Sequence, residues 1–124
     1  MTKKQEMMKY KKALLLRSSN RLGSHANCFR AYSNETDKHI DLKFAVWKLL
    51  IKSGCNVYTE AVFLDGNRAD VFVIMPDGRT KVIEILSSET YEECAEKVKK
   101  YPKDIDDIII ISELNDKNKE DIIC

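Results

Sequence analysis

No apolar run in this chain of 124 residues approaches the roughly 18 needed to cross a membrane; the longest obvious ones are Ile108–Ile111 and Leu49–Ile51. The first residues, MTKKQEMMKYKKALLL, lack the apolar centre and small-residue cleavage site of an export signal. The expectation is therefore a cytoplasmic protein with no membrane partner. Cysteine is sparse and scattered, at positions 28, 55, 94 and 124. No two cysteines have Cys-x-x-Cys spacing, and neither His25 nor His39 stands a ligand-like step from one. That pattern disfavours zinc sites and disulfide frameworks and leaves buried or free thiols. Neither GxGxxG, GxxxxGK(S/T) nor GxSxG occurs, so nucleotide-cofactor and α/β-hydrolase chemistry fall away. There is no internal repeat and no low-complexity tract.

What is present describes one ordinary globular domain: 44% hydrophobic and 33% charged residues at 14.3 kDa. The net charge of +1 hides an asymmetry. Residues 1–30 carry eight Lys or Arg against the single Glu6, giving +7, whereas the remaining 94 residues carry 13 basic and 19 acidic groups, giving −6. A basic arm on an acidic body suits a polyanion partner meeting a site that needs carboxylates; the plain alternative is a solvated basic helix. The division is thus a basic N-terminal helix and arm over 1–35 and a domain over 36–124, with the core starting near Asn34. Residues 5–17 read as a weakly amphipathic helix and 17–27 as a loop.

From a cap at Thr36 or Asp37, the periodicity predicts a helix with Ile40, Phe44, Trp47 and Ile51 as its apolar stripe and Gly54 at its end. Three β-type runs follow, NVYTEAVF, RADVFVIM and TKVIEIL, separated by Asp-Gly turns. A second helix is expected from a Ser87 or Ser88 cap, with Thr90 and Glu93 able to form a capping box and Tyr91, Cys94, Ala95, Val98 and Tyr101 as its stripe. DDIIIIS reads as a buried strand, and the tail after it is uninformative. The fold class is α/β: a three-stranded antiparallel meander, a crossover helix and a fourth strand, with the extra basic helix in front.

The turns carry the functional argument. Met75-Pro76-Asp77-Gly78-Arg79 and Phe63-Leu64-Asp65-Gly66-Asn67 each suit a three-residue loop with a G1 bulge. Pairing Met75 with Arg79 sets Asp70 opposite Glu84, and pairing Phe63 with Asn67 sets Glu60 opposite Asp70. The three acids then form a cross-strand row on the face of Val62, Phe72, Ile74, Val82 and Leu86. Ala61, Phe63, Ala69, Val71, Val73, Ile83 and Ile85 form the opposite face. Like charges opposite one another are destabilising. A divalent cation relieves the repulsion; pairing two of the acids with Arg68 and Lys81 is the alternative.

The run GNRADVFVIMPDGRTKVIEIL resembles the core of the PD-(D/E)XK, or restriction-endonuclease-like, nuclease superfamily, and the αβββαβ order over about residues 36–112 is similar to that core. Asp70 matches the first motif acid, Glu84-Ile85-Leu86 the acid-X-Lys that follows, and Glu60 the additional upstream acid. His39 and Lys43 resemble the pair on the first helix of competence-associated nuclease-like domains. One departure is plain: Leu86 stands where the family has lysine, and Lys97 on the next helix is the candidate replacement. The resemblance implies a metal-dependent endonuclease that hydrolyses DNA phosphodiester bonds as a homodimer. Glu60, Asp70, Glu84 and Lys97 would be its catalytic residues. Mg²⁺, or Mn²⁺ in its place, would be held by Asp70, Glu84 and the Ile85 carbonyl, and no nucleotide cofactor is expected. Lys9, Lys11, Lys12, Arg17 and Arg21 of the arm would hold backbone phosphates without reading sequence. Tyr10 and Tyr32 stand near enough to the arm to touch nucleic acid. The contrasting expectations are a catalytically silent nuclease-fold module that binds nucleic acid or protein, and a purely structural α/β domain. Trp47 is expected in the core, His39 as a capping or solvated side chain, and Ser87-Ser88-Glu89 as a helix cap whose amides are placed to meet a phosphate.

Overall fold

Two short turns set the middle of the fold. In the computed structural model, which describes residues 2–4, 7, 12, 15–17 and 26–124, both Asp-Gly segments close as three-residue loops. The Phe63 amide donates to the Asn67 carbonyl at 2.8 Å, and the Met75 amide to the Arg79 carbonyl at 2.7 Å. Gly66 and Gly78 take φ of +95° and +91°, the left-handed backbone that a G1 bulge requires. Strand β1 (Asn56–Val62) therefore pairs with β2 (Arg68–Ile74) through Thr59 opposite Val71 and Ala61 opposite Ala69. In turn β2 pairs with β3 (Thr80–Ile85) through Phe72 opposite Val82. This is the register read from the turns.

Helix α1 (Asp37–Lys52) begins at Thr36, whose hydroxyl accepts the His39 amide. Its fully buried positions are Lys43, Val46 and Leu50, whereas Phe44, expected inside, is 39% exposed. The stripe is displaced because the inward face carries a lysine that finds acidic partners there, a position that periodicity alone assigns to solvent. Phe44 stacks on Trp47, centroids 5.7 Å apart, with Phe29 edge-on to both, while Trp47 and Ile51 pack against the core as expected.

Helix α2 (Tyr91–Val98) is capped by Thr90, not by Ser87 or Ser88, and the Thr90–Glu93 capping box is complete. The helix stops at Val98, so Tyr101 lies beyond it, buried, while Tyr91 is 57% exposed. Strand β4 (Asp107–Ile111) runs parallel to β3 and completes a sheet of order β1-β2-β3-β4. Because β4 has a neighbour on one side only, it is half-buried rather than buried as expected. The tail forms helix α3 (Asp116–Ile123), capped by Asn115 and closed at its far end by Lys81, whose ammonium donates to the Asp121 and Ile122 carbonyls at 2.7 and 3.3 Å. Lys81 is thus spent on α3 and plays no part in neutralising the strand acids.

The result is an α/β fold, a four-stranded mixed sheet with three helices over residues 26–124. On one face α1 and α3 cover Val57, Val71, Val73, Ile83 and Ile85; on the other, Tyr58, Phe72, Ile74 and Val82 meet Tyr101, Val98 and Leu16. Ala61, Phe63 and Ala69 join this second cluster, contrary to strict alternation. The break falls where the ladder is interrupted: Glu60 has φ of +51°, a left-handed residue inside a strand, and Glu60 and Asp70 are missing from the paired register.

The core also starts earlier than Asn34. Leu16 is fully buried and bridges to Phe63, the Arg17 amide donates to Val62 and the Leu64 amide to Leu15. The Asn27 amide donates to Val57, and the Arg30 amide to the Thr59 hydroxyl, so chain segments before Asn34 cover the outer side of β1. The expected helix over 5–17 falls largely outside the described residues, as do Lys9, Lys11 and Arg21. Among the described residues no helix is long and apolar enough to cross a membrane.

If Leu16 is part of the core, Leu16→Ala should destabilise the chain by about 2–5 kcal/mol in urea unfolding, the range for truncating a fully buried leucine. A loss within about 0.5 kcal/mol, typical of a surface change, would show that this segment is merely laid on the domain.

Candidate functional site

The sheet's ladder is interrupted where the acids stand. Paired residues between β2 and β3 run only as far as Val71 opposite Ile83, and Glu60 opposite Asp70 is missing from the β1–β2 pairing. Carboxylates take over there. The Asp70 amide donates to Glu84 Oε2 at 3.0 Å, and the Ile85 amide to Asp70 Oδ2 at 2.8 Å. Each acid thus satisfies an amide on the other's side of the gap, which fixes both side chains.

The three acids occupy the expected cross-strand row but do not share one face. Glu60 reaches toward α1, where its Oε2 lies 3.8 Å from the Lys43 ammonium. Glu84 reaches toward α2, where Lys97 Nζ is 3.4 Å from its Oε1 and the Tyr101 hydroxyl bonds the same oxygen. Asp70 stands between them and lines two adjoining cavities of about 600 and 420 Å³, which also share His39 and Ser87. The twist that puts Glu60 at φ +51° is what turns its side chain to the α1 side.

Glu35, His39 and Lys43 complete the site from the α1 side. Lys43 is fully buried and its ammonium donates to both Glu35 oxygens at 2.8 and 3.0 Å. His39 Nδ1 is 2.5 Å from Glu35 Oε2, and its Nε2 is 3.6 Å from Asp70 Oδ2, an ion pair longer than a hydrogen bond. His39 is therefore neither solvated nor only a capping residue. Sequence reasoning left Glu35 unmentioned, although it stands four and eight residues before His39 and Lys43, the spacing of one helix face. Tyr101 was assigned to packing alone; a tyrosine on an apolar stripe still has a hydroxyl that must find a partner.

Each charge shifts its neighbours. The facing Asp70 carboxylate acts most strongly on His39, burial opposes it and Glu35 adds to it; together they push the ring up to about 9. Burial pushes Asp70 upward, but the His39 and Glu84 contacts and the Ile85 amide outweigh it, and Asp70 is held well below the usual carboxylate range. Burial and the Asp70 charge push Glu84 the other way. The pair therefore ionises at Asp70 first, with Glu84 keeping the proton. Burial likewise raises Glu60; the Lys43 charge opposes it, the Asp70 and Glu35 charges add to it, and Arg68 opposes it more weakly. Cys94, below the site, is raised by burial and nearby carboxylates to about 11, which makes it an inert thiol.

Two features of the donor set bear on a cation. Glu60 Oε2 is buried without a hydrogen-bond partner, and Asp70 and Glu84 crowd one another so that only one ionises readily. Both fit a hard ion such as Mg²⁺, which takes one or two carboxylates and completes its shell with water. Among the described residues no group of three or more His, Cys, Asp or Glu side chains is gathered as a metal-holding cluster.

Of the expected phosphate contacts, Lys12 is half-buried and Arg17 sits at the β1–β2 turn, against Gly66 and outside both cavities. Leu86 lines the larger cavity and puts no charge into it. No family model, characterised protein or solved structure matches the chain.

The His39 shift has a stability consequence in metal-free protein. A base raised from 6.5 to about 9 contributes stability that is fully present below pH 6.5 and is lost as pH rises through 9. In EDTA, the Tm of wild type should fall across that window more steeply than that of His39→Gln. Parallel curves would show that Glu35 and Asp70 do not hold a charged imidazole.

Proposed function

We propose that the chain is a divalent-metal-dependent nuclease of the PD-(D/E)XK, restriction-endonuclease-like type that hydrolyses DNA phosphodiester bonds, acting as a homodimer. The observation that carries this reading is Asp70, which lines two adjoining cavities and is locked across an interrupted ladder to the buried Glu84, with an ammonium 3.4 Å from Glu84. The element order from α1 to β4 supports the nuclease-like core.

Asp70 and Glu84, with the Ile85 carbonyl, would hold Mg²⁺ or Mn²⁺. When bound, the ion supplies Lewis acidity, making water a usable nucleophile near neutral pH and drawing charge from the phosphate. The chain's own residues do the rest. Glu60 adds a carboxylate at the cavity floor, oriented by Lys43. Lys97, on α2, takes the place that Leu86 leaves empty: its ammonium stands beside Glu84 and is free to meet charge developing on the phosphate. Burial lowers the Lys97 pKa while Glu84 and Asp70 raise it more, so the group stays cationic. Lys9, Lys11, Lys12, Arg17 and Arg21 would hold the DNA backbone, which makes binding strongly salt-dependent.

A second reading has its own observation. His39, Lys43 and Lys97 already stand against the four carboxylates Glu35, Glu60, Asp70 and Glu84, and the motif position is Leu86. A chain neutralised in this way suits a catalytically silent module that keeps the fold for binding nucleic acid or protein.

Labelled plasmid, single strand, flap and four-way junction, each incubated with Mg²⁺, Mn²⁺ or EDTA, separate the two. The nuclease reading expects metal-dependent cutting that drops at least about 100-fold in Asp70→Asn and about 10- to 100-fold in Lys97→Ala. No cutting in either metal, with salt-sensitive binding retained by Asp70→Asn, would establish the silent module instead.

A further inference from the structure

The larger cavity extends past the acids to a wall that the hydrolytic reading does not use. Its floor is formed by Glu60 and Asp70, and its rim by Tyr32, Asn34, Arg68 and Ser88. At about 600 Å³ it falls in the range of pockets that take small organic ligands and has room for a nucleotide. The Arg68 guanidinium lies over the Tyr32 ring, 5.2 Å from its centroid.

Both members of this pair are tied to the site. The Tyr32 amide donates to Glu35 Oε1 at 2.8 Å, and the Glu35 amide returns a bond to the Tyr32 carbonyl at 3.1 Å. Glu35 in turn is held by Lys43 and His39. On the other wall the Arg68 carbonyl is 2.9 Å from the Tyr101 hydroxyl, which also bonds Glu84. Main-chain bonds thus hold the Tyr32 and Arg68 backbone beside the acids, and the two side chains rest on each other at the rim with an amide and a hydroxyl nearby.

We propose that the Tyr32–Arg68 stack clamps one unpaired nucleotide against the wall of this cavity beside Asp70, so that the site acts on single strands or single-stranded branches. The proposal rests on the nuclease reading and names its substrate class. Two arguments favour it. A tyrosine wall offers a π-face to a base, and in a continuous duplex both faces of each base are already covered by its neighbours. The floor is also recessed, with Glu60 at 4% exposure, so a phosphate reaches it only if its nucleotide enters the cavity. Arg68 then supplies the cation that an anionic strand needs at an otherwise acidic floor.

The test is fluorescence polarisation in EDTA with a labelled single-stranded DNA, an RNA of the same sequence and the DNA duplex, beside a cleavage assay in Mn²⁺. Wild type should hold single strands more tightly than duplex. Tyr32→Leu, which keeps apolar bulk but removes the ring, should weaken single-strand binding by about 5- to 150-fold and change duplex binding by no more than about twofold. Tyr32→Phe should retain the preference, and Lys119→Ala, on exposed α3, should alter neither. The DNA and RNA arms identify which polymer supplies the nucleotide. Equal binding of single strand and duplex, or a Tyr32→Leu effect that is the same on both, overturns the clamp. Metal-dependent duplex cutting, lost in Asp70→Asn but indifferent to Tyr32→Leu, sinks the clamp and leaves the nuclease standing. Tyr32-dependent single-strand binding without any cutting sinks the nuclease and leaves a nucleotide-binding site.

Discussion

Two amide–carboxylate bonds between the second and third strands hold the centre of this structure. Asp70 and Glu84 each accept a main-chain N–H across the gap where the ladder stops, at 2.8 and 3.0 Å. A buried amide left without a partner costs about 1–3 kcal/mol, so the carboxylates are structural as well as chemical groups. This dual role explains why two acids stand so close inside a sheet. Their repulsion is relieved by one proton, by His39 on one side and by Lys97 on the other. It also means that Asp70→Asn, which keeps an acceptor oxygen, is a cleaner probe than truncation.

The surrounding architecture serves that junction from both faces. Helix α1 brings Lys43 and His39, anchored by Glu35; the α2 segment brings Lys97 and Tyr101. Glu60, in a left-handed conformation that non-glycine residues seldom adopt, sits at the meeting point with one oxygen unpartnered by any hydrogen bond. Strain and an unsatisfied acceptor at the same residue support the cation site proposed here. The site opens into cavities rather than closing over itself, and Asp70 and His39 line both, with Ser87.

The turns made most of this geometry legible in advance. Gly66 and Gly78 specify loop length, loop length specifies register, and register places Glu60, Asp70 and Glu84 in one row. Lys97 was reachable only through the resemblance, as a cation on the helix after the motif strand, and its ammonium stands beside Glu84. What local pattern does not encode is which way a side chain turns once a strand is kinked, so Glu60 was expected on the Glu84 face. Nor does periodicity anticipate a buried lysine: Lys43 lies inward only because Glu35 lies eight residues upstream in sequence but beside it in space. Leu16 and Tyr101 follow the same rule, their partners being Phe63 in one case and Glu84 in the other.

The central claim is that the Asp70–Glu84 junction is a cation site, and calorimetric titration of Mn²⁺ into the full chain at low salt tests it most directly. The account predicts one site per chain, abolished in Asp70→Asn while that variant's thermal unfolding remains cooperative. Absence of binding by wild type, or equal heats from wild type and Asp70→Asn, would contradict it and would make the internal charge network the purpose of these residues.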